Sequence, residues 1–266
     1  MKKKDLIVLF ILSVVIGAMY LSFMPFALLE INLADITEGY IPMGLNMLLC
    51  ILITFLAIKI FKVEYPLGFT KNGLANGLLK SLPVALVTIV IFAVANIIAG
   101  YPLTNTPSVL RVVLEGVIFF IIVGFMEELL LRGLVLNAFE GILAKSKHKT
   151  ALAIMISSVF FAAGHIPAFI DQGIVIILFK FIYPLGVGVY LGYLYRKYNN
   201  IWVPIIIHAV VDIVCGTIVT FSANESDGFN PATVIIMSAL SVFLLVYGIV
   251  KIVKLDKELQ AESFEV

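Results

Sequence analysis

Charge is scarce in this sequence. Only 13% of its 266 residues are Asp, Glu, Lys or Arg, while 62% are hydrophobic; a soluble domain carries roughly 25% charged residues. Mean hydropathy is +1.12. A chain so poor in polar groups cannot cover its surface for water, so lipid is its expected solvent. The net charge of +1 argues against the basic footprint that nucleic-acid binding requires. Cysteine is nearly missing as well. Cys50 and Cys215 sit in apolar stretches without metal-ligand spacing, which reads as two small apolar residues rather than a disulfide or a zinc pair. The H-E-x-x-H signature of soluble metalloproteases and the G-x-S-x-G elbow of serine hydrolases are absent. There is no internal repeat and no low-complexity segment, and no loop has room for a soluble domain.

Long apolar runs dominate what remains. A membrane helix needs about 20 mostly apolar residues. By that ruler the candidate spans are roughly 5–26, 43–62, 78–100, 110–132, 150–169, 174–195, 202–221 and 232–254. The opening "MKKKDLIVLFILSVVIGAMYLSF" starts like a signal peptide, but its apolar run is long and no A-x-A-like cleavage site follows; a retained first helix is expected. The connections alternate in basic content. Lys2, Lys3 and Lys4 are followed by Glu30, Asp35 and Glu38 without a base, and then by Lys59, Lys62, Lys71 and Lys80. Only Arg111 marks the next connection. Lys145, Lys147 and Lys149 follow, then the base-free "IPAFIDQG", Arg196 and Lys197, the acidic "SANESDGFNP", and finally Lys251, Lys254 and Lys257. The positive-inside rule then places both termini in the cytoplasm. The expectation is an all-α, multi-pass cell-membrane protein: a bundle of about eight transmembrane helices. Residues 133–149 overshoot the fourth span and read as its end followed by an amphipathic stretch on the cytoplasmic surface.

Few ionisable residues fall inside these spans, and each costs at least ~2.5–3.5 kcal/mol there. "GFMEELLLRGL" holds three. Glu128 and Arg132 are four apart, acid first, the favourable order for a helical ion pair. Glu127 points about 100° away round an ideal helix, so one acid can be neutralised locally while the other faces elsewhere. The bland reading is an ion pair and a structural acid; the sharper one is an acid reserved for proton chemistry. In "FFAAGHIP", Phe161 and His165 share a face, small residues between them allow close helix approach, and Pro167 can end the helix. In "IWVPIIIHAVVDIV", His208 and Asp212 again lie four apart, and a carboxylate in reach sets an imidazole's tautomer. Each pair alone also suits plain packing. Lys180 lies near the outer end of its span, where it can snorkel to the interface, and is left out of the site. Glu127, His165 and His208 suit a catalytic zinc with an open position. They equally suit a metal-free site in which an acid–imidazole pair activates water.

The order Glu-Glu-x-x-x-Arg, Phe-x-x-x-His, His-x-x-x-Asp resembles the CPBP family, the type II CAAX prenyl endopeptidases and bacteriocin-processing proteins also called Abi. The matching stretches are "EELLLR" (127–132), "FAAGH" (161–165) and "HAVVD" (208–212), and the likeness covers roughly 110–215. It implies a multi-pass intramembrane endopeptidase acting on peptides or proteins with an apolar segment, such as leader peptides, signalling peptides or bacteriocin precursors. It divides the chain into helices one to three (1–109), a catalytic core (110–221) and a last helix with its tail (222–266). By the same resemblance Glu127 and His165 activate water, His208 and residue 212 stabilise the oxyanion, and Glu128, Arg132 and Phe161 support the site. Many members carry asparagine where this chain has Asp212. An ionised aspartate cannot donate to an oxyanion, so Asp212 must be protonated, orient His208 or help hold a metal. A non-catalytic self-immunity or scaffold protein of the same fold is the second reading, and a proton-coupled transporter the third. The sequence does not determine an oligomeric state. At 1.5 Å per residue, Glu127 falls in the cytoplasmic half of its span and His165 in the outer half of the next. They meet only if the helices shift or tilt.

Overall fold

The computed structural model describes residues 3–22, 40–60, 67–98, 110, 112–220 and 231–264. Every regular element among them is helical. We number the main rods α1 (Lys3–Ser22), α2 (Tyr40–Ile60), α3 (Leu74–Ile98), α4 (112–142), α5 (Lys149–Gly164), α6 (Ile174–Tyr198), α7 (Trp202–Thr220) and α8 (Pro231–Phe264). Four stretches are long and apolar enough to cross a membrane: Met43–Ile60, Leu74–Ala95, Ile174–Tyr198 and Val234–Ala261. Lys149–Gly164 and Trp202–Gly216 are apolar but shorter. Helices able by length and composition to cross a membrane are thus present, while the count of eight spans and the terminal orientation rest on the sequence. Much of the charge alternation lies outside the described residues, including Lys2, Glu30, Asp35, Glu38, Lys62, Arg111 and the 221–230 connection.

α4 departs most from expectation. It does not stop near residue 132 but runs on to Ile142, switching between α-helical Phe119–Glu128 and Asn137–Ile142 and π-helical Val112–Ile118 and Leu129–Leu136. Residues 133–138 and Glu140 are buried, while 141–149 are partly or fully exposed, so the segment up to residue 140 is packed helix rather than a surface stretch. Leu134 and Ala138 pack with Ala57 of α2 and Leu12 of α1. A π turn widens the backbone and is poorer in propensity. Asn137 compensates: its Nδ2 donates to the Arg132 and Gly133 carbonyls at 3.1 and 2.9 Å, inside the widened turn.

This longer rod removes the depth mismatch. Measured from the 143–148 connection, Glu127 lies back along α4 by about as many residues as His165 lies forward along α5, roughly 22–24 Å in each case at 1.5 Å per residue. The two antiparallel helices therefore bring them to one level without unusual tilt. α5 stops at Gly164, and a 3₁₀ turn opens at Pro167, as the missing proline N–H dictates.

α7 is placed by a polar corner. Asn199, at φ 47°, ends α6 in the left-handed conformation, a common helix stop. Asn200 donates to the Thr70 and Asn72 carbonyls at 2.8 and 2.7 Å and accepts from the Trp202 amide at 2.9 Å. Gly68 is obligatory opposite: at φ +75°, a Cβ there would lie 2.3 Å from the Asn199 carbonyl oxygen. The most extensive helix contacts join α8 to α6, α5 to α6 and α7 to the Phe119–Glu128 stretch of α4.

Candidate active site

The central contact is α7 against α4, and it is close because both faces are small. A Cβ on Gly124 would fall 3.0 Å from the Ala209 nitrogen and 3.2 Å from its Cα. One residue before Ala209 is His208, which this approach inserts between the two glutamates. His208 Nδ1 lies 2.9 Å from Glu128 Oε1. Its Nε2 lies 3.5 Å from Glu127 Oε2 and 3.3 Å from Asp212 Oδ2. His208 is 6% exposed and Glu128 fully buried. The two acids diverge from α4, Glu127 toward the cavity and Glu128 toward Arg132, and they meet opposite nitrogens of one imidazole because α7 sits in the angle between them.

Glu128 is neutralised as expected. Arg132 Nη1 donates to Glu128 Oε1 at 3.0 Å, and both side chains are fully buried. Arg132 Nη2 reaches across to the Gly188 carbonyl of α6 at 2.8 Å. Its guanidinium also lies 5.5 Å from the Phe161 ring centre. Removing one member of such a pair strands a buried charge, at a cost of about 3–5 kcal/mol. Gly188 is needed for the same junction: a Cβ would lie 3.0 Å from Phe161 Cδ1 and 3.2 Å from Ser158 Cβ.

Phe161 links the two histidines. Its ring meets His165 edge-on at 4.7 Å and His208 at 5.6 Å between centres. His165 Nδ1 is 2.8 Å from the Phe161 carbonyl oxygen. A carbonyl only accepts, so Nδ1 carries the proton and neutral His165 keeps Nε2 as an acceptor.

Glu127, Phe161, His165, His208 and Asp212 all line one cavity of about 500 Å³. Its walls are otherwise largely apolar, supplied by residues such as Met47 and Val84 of α2 and α3, Phe119 and Val123 of α4, and Val187 and Leu191 of α6. Glu128 and Arg132 stand behind it. The structure thus brings together the sequence-derived site residues. It also adds Lys180 and Tyr183 to the lining, which corrects the exclusion of Lys180. Its position near a span's end suggested an interfacial lysine, but α6 turns that face inward, as the i, i+3, i+4, i+7 run Lys180, Tyr183, Pro184, Val187 shows in hindsight.

A zinc needs several donors converging on a point. Among the described residues no three His, Cys, Asp or Glu side chains form a group able to hold a metal ion. In the set Glu127, His165 and His208, both nitrogens of His208 already face carboxylates and His165 Nδ1 faces a carbonyl.

A second buried polar cluster escaped the sequence reading. Lower on α4, Glu140 Oε2 pairs with Arg196 Nη2 of α6 at 2.5 Å. Arg196 also donates to Asn137 Oδ1, Asn137 Nδ2 lies 3.2 Å from the Tyr195 hydroxyl, and the Arg196 guanidinium lies 4.6 Å from the Tyr195 ring centre. The signal was Asn and Glu on one face of "LNAFEG", which loop-side placement disguised.

No curated protein and no solved structure matches the chain significantly. A family model does: residues 109–214 match "Type II CAAX prenyl endopeptidase Rce1-like". That interval contains Glu127, Glu128, Arg132, Phe161, His165, His208 and Asp212, the residues that the geometry draws around one cavity, and over it the chain is similar to the Rce1-like, type II CAAX prenyl endopeptidases.

Proposed function

We propose that this protein is an intramembrane endopeptidase that hydrolyses a peptide bond with a water activated by Glu127 and His165. The observation that carries the reading is the convergence of Glu127, His165, His208 and Asp212 on one largely apolar cavity inside the family-matched segment. The walls suit an apolar stretch of peptide, and the polar group lies where its amide would be read.

In this scheme the water rests between the Glu127 carboxylate and His165 Nε2. Glu127 takes one proton as the hydroxide oxygen attacks the carbonyl carbon. The negative charge that develops on the carbonyl oxygen is met by the Nε2–H of His208, a donor held in place from behind by Glu128, which is itself fixed by Arg132. One preorganised donor of this kind contributes ~2.7–4 kcal/mol. The C–N bond then breaks as the proton on Glu127 passes to the leaving nitrogen. Asp212 acts through His208: its Oδ2, 3.3 Å from Nε2, orients the ring in the resting site and shares the single Nε2–H with the oxyanion once charge develops there. The scheme routes no step through a metal. Substrates are peptides or proteins with an apolar segment, among which leader peptides, signalling peptides and bacteriocin precursors fit best.

The test is cleavage of a mixed library of apolar-tailed peptides by purified full-length protein in lipid, read by mass spectrometry, with and without a chelator. Wild type cleaves at a defined bond, Glu127→Gln does not, and the chelator leaves the rate unchanged. Equal products from both proteins would remove Glu127 from the chemistry; loss of activity in chelator, restored by zinc, would replace the metal-free route.

A further inference from the structure

The lysine-rich end of the molecule holds a second cavity, unconnected with the first. α5 and α8 both pack firmly on α6 but only lightly on one another. Between them opens a wedge of about 420 Å³. Its walls are Ala151, Leu152 and Met155 on α5 and Ile249, Ile252 and Val253 on α8. Leu152, Ile249 and Val253 are 42%, 39% and 49% exposed, so the groove is open along its side.

A polar clasp closes one end. His148 Nδ1 lies 2.6 Å from Asp256 Oδ2. Gln260 Nε2 donates to Asp256 Oδ2 at 2.7 Å and to the Lys147 carbonyl at 3.0 Å. The apolar walls, 151–155 and 249–253, run about 6 Å along each helix before the polar residues His148, Asp256, Lys257 and Gln260 take over. A short apolar slot that is open at its side and ends at polar groups suits the part of an acyl chain next to its headgroup.

The charge around the clasp decides which headgroup. Lys257 lines the wedge. Lys145, Lys147, Lys149 and Lys254 are exposed on the adjoining turns. Among the described residues the nearby acids are engaged: Asp256 by His148 and Gln260, and Glu258 by Lys197 at 2.6 Å. The described charges at the mouth are in positive excess, which selects a phosphate that bears net negative charge over a zwitterion.

We propose that the wedge between α5 and α8 binds one anionic phospholipid, its chain along Leu152, Met155, Ile249 and Val253 and its headgroup phosphate between Lys147 and Lys257. Because α5 carries His165 and packs on α6, which carries Lys180, such a lipid braces two walls of the other cavity from outside. The proposal does not depend on the peptidase reading.

Delipidated full-length protein is titrated with phosphatidylglycerol, phosphatidylcholine of the same chains, or glycerol 3-phosphate. Native mass spectrometry counts retained lipids, and thermal unfolding reads stabilisation. One phosphatidylglycerol is retained in preference to phosphatidylcholine, and glycerol 3-phosphate does not displace it. Each lysine contributes roughly fivefold, the equivalent of ~1 kcal/mol per basic residue near an anionic surface, so Lys147→Gln with Lys257→Gln weakens retention about 25-fold. Lys71→Gln with Lys80→Gln, which removes two exposed lysines elsewhere, does not. Leu152→Trp, which fills the groove and keeps the lysines, also expels the lipid. Equal retention of phosphatidylcholine, displacement by glycerol 3-phosphate, an equal loss from the Lys71 and Lys80 pair, or full retention by Leu152→Trp would each overturn the assignment.

Discussion

α4 carries two buried polar clusters, one around Glu128 and one around Glu140, and they differ in a way that separates chemistry from architecture. The lower cluster is balanced. One acid, Glu140, meets one base, Arg196, which also donates to Asn137 and lies over the Tyr195 ring. The upper cluster has three carboxylates, Glu127, Glu128 and Asp212, around Arg132 and His208. It also opens into a cavity. An excess of acid beside a cavity is costly for stability and useful for proton transfer, whereas a balanced pair serves to lock helices together.

The sharpest way to break this comparison is to exchange the consequences. Glu127→Gln keeps shape and removes the base. Cleavage should fall by about 10²–10⁴, the range for losing a general base, while the unfolding temperature stays near that of wild type. Arg196→Met should do the reverse. It strands Glu140 in a buried site and costs about 3–5 kcal/mol of stability, with cleavage per folded molecule little changed. The two measurements are a peptide-cleavage rate and a thermal or denaturant midpoint in the same lipid. If Arg196→Met abolished cleavage at temperatures where it remains folded, the lower cluster would belong to the catalytic unit.

The two clusters were unequally legible in the sequence. Glu127, Glu128, Arg132, His165 and His208 stood out because charge within apolar runs is rare, and their i, i+4 spacings could be read directly. Their mutual arrangement could not be read. It depends on Gly124 lying against Ala209, a contact between residues 85 positions apart, and on α4 running past residue 132. The π-helical stretch Leu129–Leu136 leaves no mark on hydropathy, so the ruler cut the helix short and exiled Asn137 and Glu140 to the surface. Lys180 was lost in the same manner: depth along a span was legible, and facing was not. The order of the helices followed from apolar runs alone, since the described rods coincide with the candidate spans to within a few residues at most ends.

A smaller effect probes what holds the upper cluster together. Gly124→Ala adds one methyl where Ala209 leaves 3.0–3.2 Å. Overpacking of this kind costs about 1–3 kcal/mol. It also moves α7 away from α4, so His208 slips relative to both glutamates and cleavage falls along with stability. The lower cluster, which joins α4 to α6 rather than to α7, should be untouched. Ala209→Gly, combined with Gly124→Ala, frees the space again and should restore much of both losses; a failure to restore either would locate the clash elsewhere.

The finest distinction lies within the upper cluster, at Asp212. If it works through His208, then what matters is an acceptor at Oδ2, and asparagine supplies one from its own carbonyl oxygen. Asp212→Asn should therefore keep cleavage within about tenfold of wild type, and it removes a negative charge from beside the developing oxyanion. Asp212→Ala removes the acceptor and lets the ring turn; losing a group that orients a catalytic side chain in this way costs about 10–100-fold, by analogy with the partners of metal-bound histidines. The kcat values of the two variants, measured side by side on one peptide, separate orientation from proton transfer. An asparagine variant as inactive as Glu127→Gln would mean that the aspartate itself exchanges the proton, and the upper cluster would then have two bases where the geometry assigns one.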